Sequence, residues 1–347
     1  MTTKIKATKI GFFSDIHLGL GNASEEWHRT ALDFAKFASE TFEKNNIDVI
    51  IIPGDIFHNR FEVNVNTLEV CSRFFEYFKN FHVYISSGNH DSYLKDTSQI
   101  NSISVLHQKN NIQVIDESPL ILEIGGKTVS LNPWGTLLNE IPKTDICIGH
   151  FEIVTFMMNN FKACERGFVS KDLLEKANTI ISGHFHKADA RLYDDNKQIV
   201  YLGSPYQQNF GDAGDQRGLY IFDIETETFD FIPNELSPVF HKFLLSTESQ
   251  WNEEVIKGNH IRLLVDTKVD SKEIQAIASK IRSKIPISFD IKYEYTETFT
   301  LNNEEAENIT SVNIPDSIKI FVNDVPDLKY KEETVELLTK LYESCHK

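Results

Sequence analysis

The segment ISGHFHK at 181–187 sets His184 and His186 on either side of one phenylalanine, directly after an apolar run and a glycine. If NTIISG (178–183) ends a strand, the two-residue period puts both imidazoles on one side of the chain, where they can grip one object. An isolated pair of this kind also occurs on surface turns, so its meaning depends on its company. Four other apolar runs end in comparable groups. Asp15 and His17 follow KIGFF, Asp55 closes IDVIIIPGD (47–55), Asn89 and His90 stand in HVYISSGNHD (82–91), and His150 closes DICIGH (145–150). Singly, each reads as a helix cap, a turn or a left-handed backbone position. Five in order, each at a strand end, do not.

Carboxylate, imidazole and amide oxygen without thiolate suit borderline-hard divalent ions such as Mn²⁺, Fe²⁺ or Zn²⁺. Seven such ligands overfill one ion, and two ions sharing Asp55 as a bridge fit them better. Cations about 3.5–4 Å apart can hold a hydroxide and both non-leaving oxygens of a phosphate for in-line displacement. They also bring positive charge to where phosphate must sit. The eighth group, His90, is assigned to protonating the departing alkoxide or stabilising the transition state.

These groups converge only if the strand ends meet at one crevice of an open α/β sheet. The pattern supports that. Between the first three runs lie EEWHRTALDFAKFASETFEKN (25–45), with Trp27, Ala31, Phe34, Ala38 and Phe42 on one face, and VNTLEVCSRFFEYFK (65–79), with Leu68, Cys71, Phe75 and Phe78. Strands alternating with helices predict an α/β layered domain. IVYLGSP (199–205) and runs at 112–116, 119–124, 127–132, 218–224 and 228–232 add strands to a mixed sheet. After Pro238, HIRLLVD (260–266), SKEIQAIASKIRSKI (271–285) and ISFDIKYEY (287–295) read as a small strand, helix, strand module. The polar, acidic stretch 296–317 reads as a linker, and Val335, Leu338, Leu341 and Tyr342 form an apolar stripe in 329–345. The expected divisions are thus 1–237, 238–295, 296–317 and 318–347.

At 347 residues the chain is long enough for about two domains. A net charge of −16 argues against holding nucleic acid by a general basic field, so phosphate binding must be local. Cys71, Cys147, Cys164 and Cys345 lie too far apart for a metal or redox pair and read as scattered reduced thiols. With no apolar run near membrane-span length and no signal-peptide core, the expected location is cytoplasmic.

Taken together, SDIH (14–17), GD (54–55), GNHD (88–91), GH (149–150) and GHFH (183–186) resemble the signature of calcineurin-like metallophosphoesterases. The resemblance implies a two-layer β-sandwich flanked by helices. It also implies Asp15, His17, Asp55 and His186 around a first ion, and Asp55, Asn89, His150 and His184 around a second. GDIFHNR (54–60) and YLGSPYQQNFG (201–211) are similar to the SbcD-type nuclease subunit of the double-strand-break repair complex and its phage recombination counterparts. For that family the expectation is Mn²⁺-dependent 3′-to-5′ exonuclease and single-strand endonuclease activity on DNA. Its layout adds a capping module and a C-terminal segment docking on an SbcC-type coiled-coil ATPase, with a homodimer left open and no membrane partner. His58, Arg60 and Arg217 become candidate DNA contacts. A phosphatase or phosphodiesterase acting on a non-DNA substrate is the alternative.

Overall fold

Two sheets face one another. In one, strands Lys9–Phe12, Val49–Ile52, His82–Ser86 and Ile112–Ile115 run parallel, and Gly218–Asp223 joins antiparallel to Lys9–Phe12 and to the edge strand Thr228–Pro233. In the other, Lys127–Asn132, Ile146–Gly149, Thr179–Ser182 and Lys197–Tyr201 form a second parallel set. Leu120–Ile124 and Thr3–Ile5 extend it on one side, Asp189–Tyr193 on the other. This computed structural model describes residues 3–294, 319, 322 and 329–345. The pattern predicts an α/β layered domain with a mixed sheet, and the two-sheet sandwich is what the resemblance adds to it.

The two-residue period of each strand builds the layers. Val49 and Ile51 point between the sheets with Phe12, Leu131, Ile148 and Ile181, while Ile50 and Ile52 point outward to Phe13, Phe34, Phe42 and Phe74. Those phenylalanines come partly from helix Glu25–Lys44, whose Ala31, Phe34, Ala38 and Phe42 are fully buried, with Glu25 and Glu26 in its first turn and Lys44 in its last. Helix Val65–Glu76 starts where the Asn64 side chain accepts from the Thr67 backbone N–H at 2.8 Å. One expectation on this helix is corrected. Leu68 is 38% exposed, because the buried stripe runs through Thr67, Val70, Cys71, Phe74 and Phe75 and leaves Leu68 at its edge. The second sheet's outer face buries Cys147, Ile180 and Ile199 against Phe151, Phe156 and Leu173.

Residues after Pro238 form a parallel three-stranded sheet, Phe240–Leu244, His260–Val265 and Ser288–Tyr293, crossed by helix Ser271–Ser283. The sequence pattern predicts the second and third strands but not the first. Met1–Glu294 clusters as one unit and Tyr295–Lys347 as another. Within the first, the His260 ring stacks on Trp27 at 5.6 Å, and the Phe240 N–H donates to Gln207 Oε1 at 2.7 Å. In the second, Lys331–Cys345 is helical, with Leu338 38% and Leu341 53% exposed. The expected linker 296–317 lies outside the described residues. Cys71, Cys147 and Cys164 are buried free thiols, and no helix among the described residues is long and apolar enough to cross a membrane.

Candidate dimetal centre

All eight sequence-predicted ligands and acid-base groups come together at the C-terminal ends of the parallel strands. Among the described residues, three triads have ligand atoms within 4.8 Å of one another: Asp15, His17 and His186, then Asp55, His150 and His184, and a third, His17, His58 and His90, that runs from the first toward the rim. Asp55 Oδ2 lies 3.5 Å from His17 Nε2 and 3.3 Å from His150 Nε2, so one oxygen touches the first two groups. Asn89 joins the second, its Oδ1 2.8 Å from His184 Nδ1 and 3.0 Å from His150 Nε2.

The backbone that presents these groups is unusual. Asp15, His17, Asp55 and His184 all have positive φ, between 52° and 88°, a conformation L residues avoid. Hydrogen bonds between the first two loops hold it: Asp15 N–H donates to Gly54 O, His17 N–H to Asp55 O, and Leu18 N–H to Ile56 O at 2.7 Å. Asp15 also accepts from His184 N–H at 3.0 Å, tying the first loop to the fifth. At Gly88 a side chain is impossible without displacement, since a Cβ would sit 2.2 Å from Asp55 Oδ1.

Whether these residues fit metal ions can be judged from their own lone pairs. With its Nδ1–H donating to Pro53 O at 2.7 Å, His150 aims Nε2 at Asn89 Oδ1, His184 Nδ1 and Asp55 Oδ2, all acceptors or potential acceptors. His17 Nε2 and His186 Nε2 face each other at 3.0 Å, and buried His17 Nδ1 has no partner. Such converging lone pairs call for a cation, and the donor set of carboxylate, imidazole and amide oxygen matches two divalent ions.

Electrostatics agrees. Burial holds the His17 imidazole well below its ordinary value, lowers His184 and brings His186 down to about 4, so all three are neutral and able to ligate. His150 is the exception. Burial opposes its charge, but the Asp55 carboxylate overcomes this and raises it to about 9, so without a metal a proton takes the cation's place. Burial likewise opposes ionisation of Asp55, yet His150 and His17 hold it well below the usual carboxylate range. Asp15 is pushed up to about 7, first by burial and then by Asp55.

His90 stands at the rim. Its backbone N–H donates to Asp55 Oδ1 at 2.8 Å and its Nδ1–H to the His58 carbonyl at 2.7 Å, which leaves Nε2 uncommitted. His58 stacks on the His90 ring at 5.7 Å, and both line a cleft of about 620 Å³ with Arg60, Asn59 and Asn64. Arg217 lies behind the first group, where its Nη1 donates to Ser204 Oγ at 3.1 Å and its charge opposes one on His186. Its side chain is 4% exposed and paired with Asp212 at 2.9 Å and Asp215 at 3.1 Å, so its charge is already neutralised inside the protein. Its expected role as a phosphate contact is therefore corrected to a structural one.

Sequence reasoning passed over several supporting residues. Asp91 is buried and accepts from Phe57 N–H and Gly88 N–H, both at 2.9 Å, joining the second and third loops. Its place in GNHD was the available signal. Gln208 donates to Asp15 O at 2.7 Å, and Tyr206 to Ile16 O. Trp134 packs 5.4 Å from the His184 ring and 5.8 Å from His150. Tyr206 and Gln208 fall in YLGSPYQQNFG, the stretch that carries the resemblance, whereas nothing local in the sequence marks Trp134.

A sandwich that gathers two candidate divalent-ion ligand groups around a shared carboxylate fits a metallophosphoesterase. Residues 8–188 match the calcineurin-like phosphoesterase model, and the chain belongs to that family. It is 26% identical to "Exonuclease subunit 1" of Enterobacteria phage T4 over 96% of this chain and 98% of that one. It is 25% identical to "Putative phosphoesterase 244L" of Invertebrate iridescent virus 6 over 76% of this chain and 91% of that one. Among solved structures, a dimetal phosphatase from Danio rerio aligns over 62% of this chain and 92% of its own, at 10% identity and a TM-score of 0.39. The nuclease MPE of Pseudomonas putida aligns over 61% and 83%, at 16% identity and a TM-score of 0.33.

Proposed function

We propose that the chain is the nuclease subunit of a DNA double-strand-break repair or recombination complex, a Mn²⁺-dependent 3′-to-5′ exonuclease and single-strand endonuclease working with a coiled-coil ATPase. The extent of the phage exonuclease similarity carries this reading. The family match ends at residue 188, whereas that similarity spans 96% of the chain and so takes in most of the residues beyond the sandwich. The relative's description as a subunit supports a protein partner, for which helix Lys331–Cys345 is the proposed dock.

Asp15, His17, Asp55 and His186 would hold one ion, and Asp55, Asn89, His150 and His184 the other. Two such ions supply Lewis-acid polarisation of phosphoryl oxygens and ready deprotonation of water. The chain does the rest. Asp55 keeps the two groups in register, and the loops tied by Asp91 hold Asn89 and His90 at fixed positions. In its acid form His90 keeps Nδ1–H on the His58 carbonyl and gives its Nε2 proton to the departing oxygen. His58 and Arg60, in the adjoining cleft, would steady the strand.

The net charge of −16 keeps a phosphatase or phosphodiesterase acting on a non-DNA substrate in view as the rival. The deciding experiment incubates the purified chain with Mn²⁺ and either end-labelled single-stranded DNA or a panel of phosphopeptides and cyclic nucleotides. Stepwise loss of nucleotides from the 3′ end is expected. Turnover of the panel with intact DNA would replace this reading by the rival. For the partner, deleting residues 330–347 is expected to abolish co-purification with the ATPase while the metal content stays at two per chain, and retention of the ATPase would refute the dock.

A further inference from the structure

We propose that the cleft walled by Trp134 is a base-binding subsite, which stacks the nucleobase adjoining the scissile phosphate on the indole face. The proposal rests on the nuclease reading above and deepens it. On the His150 side of the metal groups lies a second cleft, of about 390 Å³, separate from the one lined by His58 and Arg60. Its wall is apolar and aromatic, with Trp134, Leu137, Phe151 and Phe168, and Leu137 is 60% exposed. Lys95, Asp96, Thr136 and Glu152 supply the polar edge.

Three observations point to a base. The indole ring is 5.4 Å from the His184 ring and 5.8 Å from His150, so whatever stacks on it is a direct neighbour of a phosphate held by those histidines. The ring is also fixed in advance. Its Nε1–H donates to Lys95 O at 2.7 Å and its backbone N–H to Ser87 O at 3.0 Å, so little ordering remains to be done on binding. Gly135 lets the following loop close in, since its φ is +85° and a Cβ there would meet Asp96 O at 2.6 Å. With its only polar atom satisfied, the indole offers a π-face, and every base has one to match.

The third observation is charge. At −16 the chain has no general basic field to hold a strand, and stacking is the sequence-tolerant grip that needs none. A base inside a duplex keeps both faces covered by its neighbours. Only an unpaired or extruded nucleotide can reach the cleft, which makes Trp134 a determinant of single-strand and frayed-end preference.

The test uses Mn²⁺-loaded full-length protein and single-stranded oligonucleotides carrying one tetrahydrofuran abasic residue on either side of a defined scissile phosphate. Removing the base on the Trp134 side is expected to lower kcat/KM by roughly 5- to 150-fold, the range a single base stack supports. Removing the base on the other side should change it far less. Trp134→Ala should erase this discrimination and Trp134→Phe retain most of it, with two ions per chain measured in both. If wild-type protein cleaves both abasic strands as fast as the intact one, or if Trp134→Ala still discriminates, the subsite is refuted. Absence of any DNA cleavage by wild-type protein would instead bring down the nuclease reading, and the subsite with it.

Discussion

Replacing His90 by alanine separates catalysis from metal binding. The residue holds Asp55 only through its backbone N–H, 2.8 Å from Oδ1, and alanine keeps that bond. What disappears is the imidazole, with its one hydrogen bond to the His58 carbonyl at 2.7 Å, its stacking on the His58 ring and its edge contact with the His17 ring at 4.7 Å, whose Nε2 faces Asp55 and His186 independently of it. A lost hydrogen bond of this kind costs about 1 kcal/mol of stability, and the rim position lets water reach the carbonyl left behind. Loss of a general acid costs far more in rate, about 10²- to 10⁴-fold, which is roughly 2.7–5.5 kcal/mol in the barrier. His90→Ala should therefore melt within a few degrees of wild type, bind two ions, and cleave DNA at least a hundredfold more slowly. Elemental analysis of the dialysed protein and single-turnover kinetics on end-labelled DNA give both numbers. A phosphodiester with a p-nitrophenolate leaving group, which needs no proton, should recover most of the lost rate. If an ion is lost with the side chain, His90 is a ligand. If DNA cleavage stays within tenfold of wild type, or the activated ester suffers as much as DNA, the general-acid role is wrong.

Gly88→Ala would push a methyl to 2.2 Å from Asp55 Oδ1 and 2.4 Å from its backbone nitrogen, so the shared carboxylate must move. Metal analysis should find fewer than two ions per chain, with a rate loss of about a hundredfold or more; a fully loaded, active variant would show that the loop relaxes without cost. Because protons compete with cations for Asp15, raised to about 7, and His150, raised to about 9, Mn²⁺ affinity should increase with pH across 6 to 9 and binding should release protons. Calorimetric titration in buffers of different ionisation enthalpy checks this, and an affinity flat over that range would contradict the charge states assigned here. Arg217→Ala strips the partner from Asp212 and Asp215 in a buried cluster, which should destabilise the fold by about 3–5 kcal/mol. A variant with an unchanged melting temperature but weaker DNA binding would restore Arg217 as a phosphate contact.

How much of this is legible in the sequence depends on which physics is local. Alternating apolar residues and helical stripes are local, so the layers and their order can be read directly, and so can ligand-type residues at strand ends. The positive φ at Asp15, His17, Asp55 and His184 cannot, since local rules give that conformation to glycine and asparagine. It persists here because hydrogen bonds between loops some 40 residues apart, and Gln208 on the Asp15 carbonyl from 193 residues away, fix it from outside. The same distance effect hides Trp134, a tryptophan in a loop until its histidine neighbours arrive from two other strands. Arg217 errs the other way. Its charge is visible in DAGDQR, and so are the aspartates at 212 and 215 that neutralise it, but only burial decides between a solvated patch and a closed cluster. The candidate ligands are thus written strand by strand, while the strain that aims them comes from contacts between loops. Substitutions at loop-tying residues such as Asp91 or Gln208, which touch no ion, should for that reason disturb metal binding nearly as much as loss of a ligand.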